Sequence, residues 1–158
     1  MKLIEAGDDH FIWMLAGEGL CGGLRLPDGG VDHPAVLKYL RRAAADLRDR
    51  PGGGSWLVVD GGEVAGLCGY KRRPTPEGEV EIGYSIVASR RGQGLAAAAV
   101  ASMLDRAARD PGIARLTAET AVDNIASQRV LEKNGFGRAG RRTDPEDGAL
   151  ILWQRAVR

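Results

Sequence analysis

The alternation of apolar and polar positions changes period along the chain, and each change marks an element. Phe11, Ile12, Met14 and Leu15 cluster as one helical face would, and a glycine-rich break over residues 17–30 follows. His33-Pro34 opens a second predicted helix, since proline suits a first helical turn. Val36, Leu37, Leu40, Ala44 and Leu47 form its apolar face, and residues 51–54 end it. The period then falls to two. Residues 56–59 and 64–70 read as strands joined by the turn Asp60-Gly61-Gly62. Beyond a loop over 72–78, residues 79–87 alternate strictly. Val80, Ile82, Tyr84 and Ile86 face one way, and Glu79, Glu81, Gly83 and Ser85 the other.

In the second half, Ser89-Arg90-Arg91 and a glycine turn lead into a helix over 95–108, stopped by Asp110-Pro111-Gly112. Residues 113–119 read as a strand. Asp123 or Asn124 caps a helix that reaches residue 134 and closes at Gly135. Residues from 136 onward and 149–157 supply the last strands, with a polar turn over 143–148 between them. The order α-α-β-β-β-α-β-α-β-β predicts a mixed sheet flanked by helices, an α+β (mixed α/β) fold. No linker divides it, so the expectation is one domain over 1–158.

Composition narrows the function classes. The 158 residues suffice for a core without disulfide or metal staples. The two cysteines, Cys21 and Cys68, make neither a disulfide framework nor a metal cluster, so no metal and a reducing cytoplasm are expected. Lys and Arg number 22 against 21 Asp and Glu, which argues against nucleic-acid and polybasic membrane partners. The apolar run over 92–104 falls short of the ~18–20 residues that cross a bilayer. Glu5, Asp8 and Asp9 are unlike a secretory leader. The 23 glycines are scattered between apolar runs, which predicts turns and a binding loop rather than low complexity.

That loop is Arg91-Gly92-Gln93-Gly94-Leu95-Ala96, between a strand and a helix. A helix start presents unpaired N–H groups and the positive end of its dipole, and glycine lets an anion approach the backbone. With Arg90 and Arg91 alongside, the feature fits a diphosphate. A tight turn without a ligand satisfies the same string. So does the dinucleotide fingerprint, as Gly92-x-Gly94-x-x-Ala97 with Glu119 at the end of the next strand. Some 80 residues of other structure before the motif, and too few after it for a doubly wound domain, count against a dinucleotide-binding oxidoreductase.

Arg91, Gly94 and Ala96 form R-x-x-G-x-A. About 30 residues on stands Asn124-Ile125-Ala126-Ser127-Gln128-Arg129-Val130-Leu131-Glu132-Lys133-Asn134-Gly135-Phe136. The two together resemble the GNAT superfamily of N-acetyltransferases, and in detail its RimJ/RimL-like branch of ribosomal-protein alanine acetyltransferases. Glu81-Ile82-Gly83-Tyr84 and Ala118-Glu119-Thr120 support the resemblance, which covers about residues 55–157. It implies a GNAT-like sheet of six to seven mostly antiparallel strands, about four helices and a V-shaped splay between two central strands. It further implies acetyl-CoA as donor and a primary amine, of a small molecule or a protein N-terminus, attacking directly in a ternary complex, by a monomer or homodimer. By the same resemblance, backbone from Arg91 through Gly92, Gln93, Gly94 and Leu95 to Ala96 cradles the pyrophosphate. Ile86 and Val87 pair with the pantetheine arm, Asn124 contacts that arm, and Ser127 lies near the thioester sulfur.

Many members place a tyrosine seven residues after the asparagine as acid for the leaving thiolate. Here that position is Leu131, and Ser127 is the substitute. A non-catalytic acyl-CoA-binding module on the same fold is the alternative this departure raises. The candidate bases are Glu81, on the polar face of its strand, and Glu119. The active one should be partly buried, so that its proton affinity is raised. Cys68 reads as core, and His10 and His33 lack metal-ligand spacing. Cys21 has no evident charged partner. Trp13 and Tyr39 on the first two helices are candidates for the acceptor site, and Arg41-Arg42, Arg72-Arg73 and Arg141-Arg142 read as solvated faces.

Overall fold

The computed structural model describes residues 1–158. Its elements are β1 (Lys2–Glu5), α1 (Asp8–Ala16), β2 (Leu20–Cys21), β3 (Leu24–Arg25), α2 (Pro34–Leu47), β4 (Ser55–Asp60), β5 (Glu63–Tyr70), β6 (Glu79–Ile86), α3 (Leu95–Ala108), β7 (Arg115–Ala121), α4 (Ile125–Lys133), β8 (Gly137–Asp144) and β9 (Gly148–Ala156). A single 3₁₀ turn, Ala88–Arg90, precedes α3. Seven strands form the body of one mixed sheet in the order β1-β4-β5-β6-β7-β9-β8. All pairs along that path are antiparallel except β6–β7.

Three strands lie outside the sequence reading. The chain opens on β1 rather than on a helix; its four residues hold only Leu3 and Ile4 as apolar positions, too few to show a period. The glycine-rich break contains the two-residue strands β2 and β3, which pair with each other, and β3 also meets β5 through Arg25 and Glu63.

The sheet is covered on both faces, and β4 shows the alternation. Trp56 and Val58 join the larger core with Ala99, Val100 and Met103 of α3 and Leu131 of α4. Leu57 and Val59 join a second core with Phe11 and Met14 of α1 and Leu37 and Ala44 of α2. Truncating a fully buried side chain such as Met103 to Ala would cost about 2–5 kcal/mol.

At the middle of the sheet the ladder is incomplete. The parallel strands β6 and β7 pair only through Glu79–Arg115, Val80–Leu116 and Glu81–Thr117. Beyond that point β6 continues beside β5 alone, and β7 beside β9 alone. This largely antiparallel order is not the doubly wound parallel sheet of a dinucleotide-binding domain, and that alternative is set aside.

Candidate functional site

The glycine turn folds as its spacing requires. Gly92 and Gly94 have φ of 74° and 77°, in the left-handed region that favours glycine, and Gly94 is the N-cap of α3. Its lack of a side chain leaves the helix start uncapped. None of the amide N–H groups of residues 92–97 donates a hydrogen bond within the protein. A Cβ on Gly92 or Gly94 would meet nothing within 4 Å, so the space before these donors is open. Six unspent donors stand at the positive end of a 14-residue helix, an arrangement whose chemistry suits an anion.

The two arginines beside it differ. Arg90 donates to Glu63 at 3.0 Å and to Asp60, so its charge is matched by two carboxylates and it ties the 3₁₀ turn to the β4–β5 hairpin. This corrects the expectation that it faces an anion. Arg91 donates through Nε to the Ile86 carbonyl at 3.1 Å and has no carboxylate partner.

The edge of β6 follows from the ladder. Lys71 donates to the Glu81 carbonyl at 2.8 Å and Val87 to the Ala65 carbonyl at 2.8 Å. Main-chain groups of residues 81, 83, 85 and 87 therefore point to β5, and those of Tyr84 and Ile86 point away from it, where β7 has stopped pairing. Of the two residues expected at this edge, Ile86 faces it. Val87 does not, because its N–H is used by β5.

On α4, the Asn124 side chain accepts from the Ser127 N–H at 3.1 Å and caps the helix. The helix ends in a Schellman turn: Phe136 donates to the Leu131 carbonyl at 3.0 Å and Gly135, at φ 77°, to that of Glu132 at 3.0 Å. Leu131 and Phe136 are both core residues, so much of the second motif is architecture. Ser127, one turn before Leu131 on the same face, meets the Tyr84 hydroxyl at 2.7 Å. Burial pushes the Tyr84 phenol above its ordinary range, and the Ser127 bond works against that. In the sequence Tyr84 shows only as an apolar-face position of its strand, and nothing along the chain points to a partner 43 residues on.

Both candidate bases are partly buried, as the sequence reading expected of the active one, and each has a basic partner. Glu119 is held by both ends of the Arg142 guanidinium, at 3.0 and 2.6 Å. Glu81 pairs with Lys71 Nζ at 2.6 Å. Both carboxylates line one hollow of about 270 Å³, with Thr117, Ala139, Leu152 and Gln154. Lys71 borders a second hollow of about 200 Å³, walled by Val36, Tyr39 and Leu40 of α2 and by Leu67, Gly83 and Ser85. Tyr39, 62% exposed, stands at that hollow as expected of an acceptor-site residue. Trp13 does not; it is buried in the second core and donates to the Gly19 carbonyl at 3.0 Å.

Cys68 is buried and its thiol is pushed up to about 12 by that burial, as fits a packing residue. Cys21 has a neighbour that the sequence hid: the β2–β3 hairpin brings its sulfur to 4.0 Å from Asp9 Oδ2. His10 Nδ1 is close by but accepts the Gly7 N–H at 2.9 Å, in the cap of α1. Each of the three arginine pairs is engaged through one member, Arg41 with Asp8, Arg73 with Asp49 and Arg142 with Glu119. No helix is long and apolar enough to cross a membrane.

A family model for the acetyltransferase (GNAT) domain matches residues 28–137. The N-acetyltransferase YjdG of Bacillus subtilis, whose own description is uncharacterised, is 31% identical over 103 residues, covering 64% of this chain and 61% of that protein. The similarly described N-acetyltransferase p20 of Bacillus licheniformis is 30% identical over 99 residues, covering 61% of this chain and 56% of its own length. The chain thus matches less than two thirds of either relative. Among solved structures, the ribosomal alpha-N-protein acetyltransferase RimL in complex with coenzyme A superposes with a TM-score of 0.74 at 20% identity, over 98% of this chain and 92% of that one.

Proposed function

Because this chain belongs to the GNAT acetyltransferase family, we propose that residues 1–158 act as one N-acetyltransferase domain that moves an acetyl group from acetyl-CoA to a primary amine. The observation that carries the reading is the row of unspent N–H donors over residues 92–97 at the start of α3. A diphosphate satisfies such a row without any side chain, and Arg91 adds charge beside it. The residues present therefore fit the co-substrate.

The outward main-chain groups of Tyr84 and Ile86 suit an extended pantetheine arm, which would pair with β6 as another strand would. The end of β6–β7 pairing is read as the V-shaped opening that admits it. A thioester so aligned lies near the N-terminus of α4. There the Ser127 hydroxyl hydrogen-bonds the sulfur as the C–S bond breaks, and the Asn124 amide lies within the same turn. A β6 N–H facing the gap receives the charge that develops on the carbonyl oxygen.

The acceptor approaches from the opposite face of the sheet, through the hollow beside Tyr39 and Lys71. An amine attacks only when neutral, so a proton must leave it first. Glu81 is the stronger candidate to take that proton, directly or through water. Its single contact is with a flexible lysine, whereas Glu119 is locked in two hydrogen bonds to Arg142. The amine attacks the acetyl carbon, the C–S electron pair departs with sulfur, and the proton lost by nitrogen balances the free thiol of coenzyme A.

Release of that thiol, followed with a disulfide indicator across small amines, amino acids, aminoglycosides and peptide N-termini, tests the reading. Thiol appearing only with acceptor supports it, and none with any acceptor opposes it. The buried Leu131 in place of a tyrosine favours one second reading, an acyl-CoA-binding module without catalysis. Saturable binding with no turnover would select that reading.

A further inference from the structure

We propose that Tyr84 is a positioning residue for the leaving group: its phenol orients the Ser127 hydroxyl so that the serine proton points at the departing sulfur. The proposal rests on the acetyl-transfer reading above and concerns a residue outside the two sequence motifs.

The argument starts from the weakness of serine in this role. An alkyl hydroxyl rotates freely and is a poor acid, so by itself it offers its proton in no fixed direction. At the third position of a helix it can also turn toward nearby backbone. Tyr84 removes that freedom. Its hydroxyl lies 2.7 Å from Ser127 Oγ, between a strand and a helix that are 43 residues apart in sequence. When the phenol donates to Oγ, the serine oxygen is polarised and its own proton is left for a third partner. The alternative has the phenol donate to the Ser127 carbonyl, 3.3 Å away, and accept the serine proton. The greater acidity of a phenol favours the first arrangement once negative charge gathers on sulfur.

Placement supports the same reading. Tyr84 lies on the stretch of β6 that has lost β7 as a partner, and its ring packs against the larger core. Ser127 and Leu131 share one helical face, a turn apart. A phenol reaching in from β6 therefore arrives beside the position where a helix tyrosine is missing. Proton balance needs no added reagent. The phenol and the hydroxyl hold their protons throughout and only stabilise the thiolate, which is neutralised by the proton that the amine releases.

The test compares the unaltered protein with Tyr84→Phe, Ser127→Ala and the double variant. Ultraviolet titration of the phenols, with Tyr84 assigned by its loss in Tyr84→Phe, reads the contact without any acceptor. Ser127→Ala should move the Tyr84 titration to higher pH, and an unmoved titration overturns the proposal. In thiol release at saturating acetyl-CoA, Tyr84→Phe should lower kcat about tenfold while the KM for acetyl-CoA stays within about twofold. On the Ser127→Ala background the same change should cost nothing further. Losses that multiply, or a Tyr84→Phe protein with unaltered kcat, overturn the positioning role and leave acetyl transfer standing. An unaltered protein that binds acetyl-CoA yet releases no thiol with any amine removes both.

Discussion

In the proposed mechanism the chemistry turns on Ser127 and Glu81, and their settings differ. Ser127 is fixed from both sides, its N–H by Asn124 and its hydroxyl by Tyr84. Replacing it with Ala removes one hydrogen bond to a group that becomes charged, an interaction of about 1.5–3 kcal/mol. The expected result is a kcat lower by about ten- to a hundredfold at little cost in acetyl-CoA affinity, read in steady-state thiol release. Glu81 and Glu119 should separate in the same assay. Glu81→Gln should lower kcat by about a hundredfold, the usual lower range for a lost base. Glu119→Gln should leave turnover within a few fold and cost no more than about 1 kcal/mol in chemical denaturation, because Arg142 remains partly exposed to solvent. The reverse order would make Glu119 the base.

Among the elements, α3 carries the account, and the reason it was legible is local. A helix start that presents bare N–H groups needs an N-cap without a capping side chain, and Gly94 has none and takes a left-handed backbone that favours glycine. Gly94→Ala places a β-carbon in that conformation at a cost of roughly 1–2 kcal/mol. Acetyl-CoA affinity should fall by at least tenfold, measured by calorimetry, with the melting temperature lowered only modestly. The cap and Schellman end of α4 were legible for the same reason, since Asn124 and Gly135 answer demands of their own backbone. What was not legible depends on residues that meet across the fold. The Arg142 clamp on Glu119 spans 23 residues and the Tyr84–Ser127 bond 43, and no spacing along the chain encodes either. Arg90 looked like ligand charge until β4 and β5 brought Asp60 and Glu63 to it. The strands β1, β2 and β3 were too short for a period to show.

At the scale of the molecule, the sheet separates two tasks. The α3–α4 face carries the unspent N–H donors and the α1–α2 face the hollow beside Tyr39, so in the proposed mechanism donor and acceptor meet where β6 and β7 stop pairing. The core beneath that gap contains groups that resist ionisation. Burial pushes the Cys68 thiol from 9.0 up to about 12, and the Tyr70 phenol from 10.0 up to about 12. Each keeps its proton in the folded state where the unfolded chain would lose it. Stability should therefore be intact below pH 9 and fall as pH rises from 9 to 12. Urea denaturation across that range should show the midpoint falling, and a flat profile would contradict the burial of both groups. The measurement that bears most directly on the account is calorimetric titration of the unaltered protein with acetyl-CoA, in parallel with Gly94→Ala. Saturable binding at one site per chain, weakened in the variant, is the predicted result. Absence of heat at millimolar acetyl-CoA, or equal affinity in both proteins, would contradict the claim that the open start of α3 holds the diphosphate.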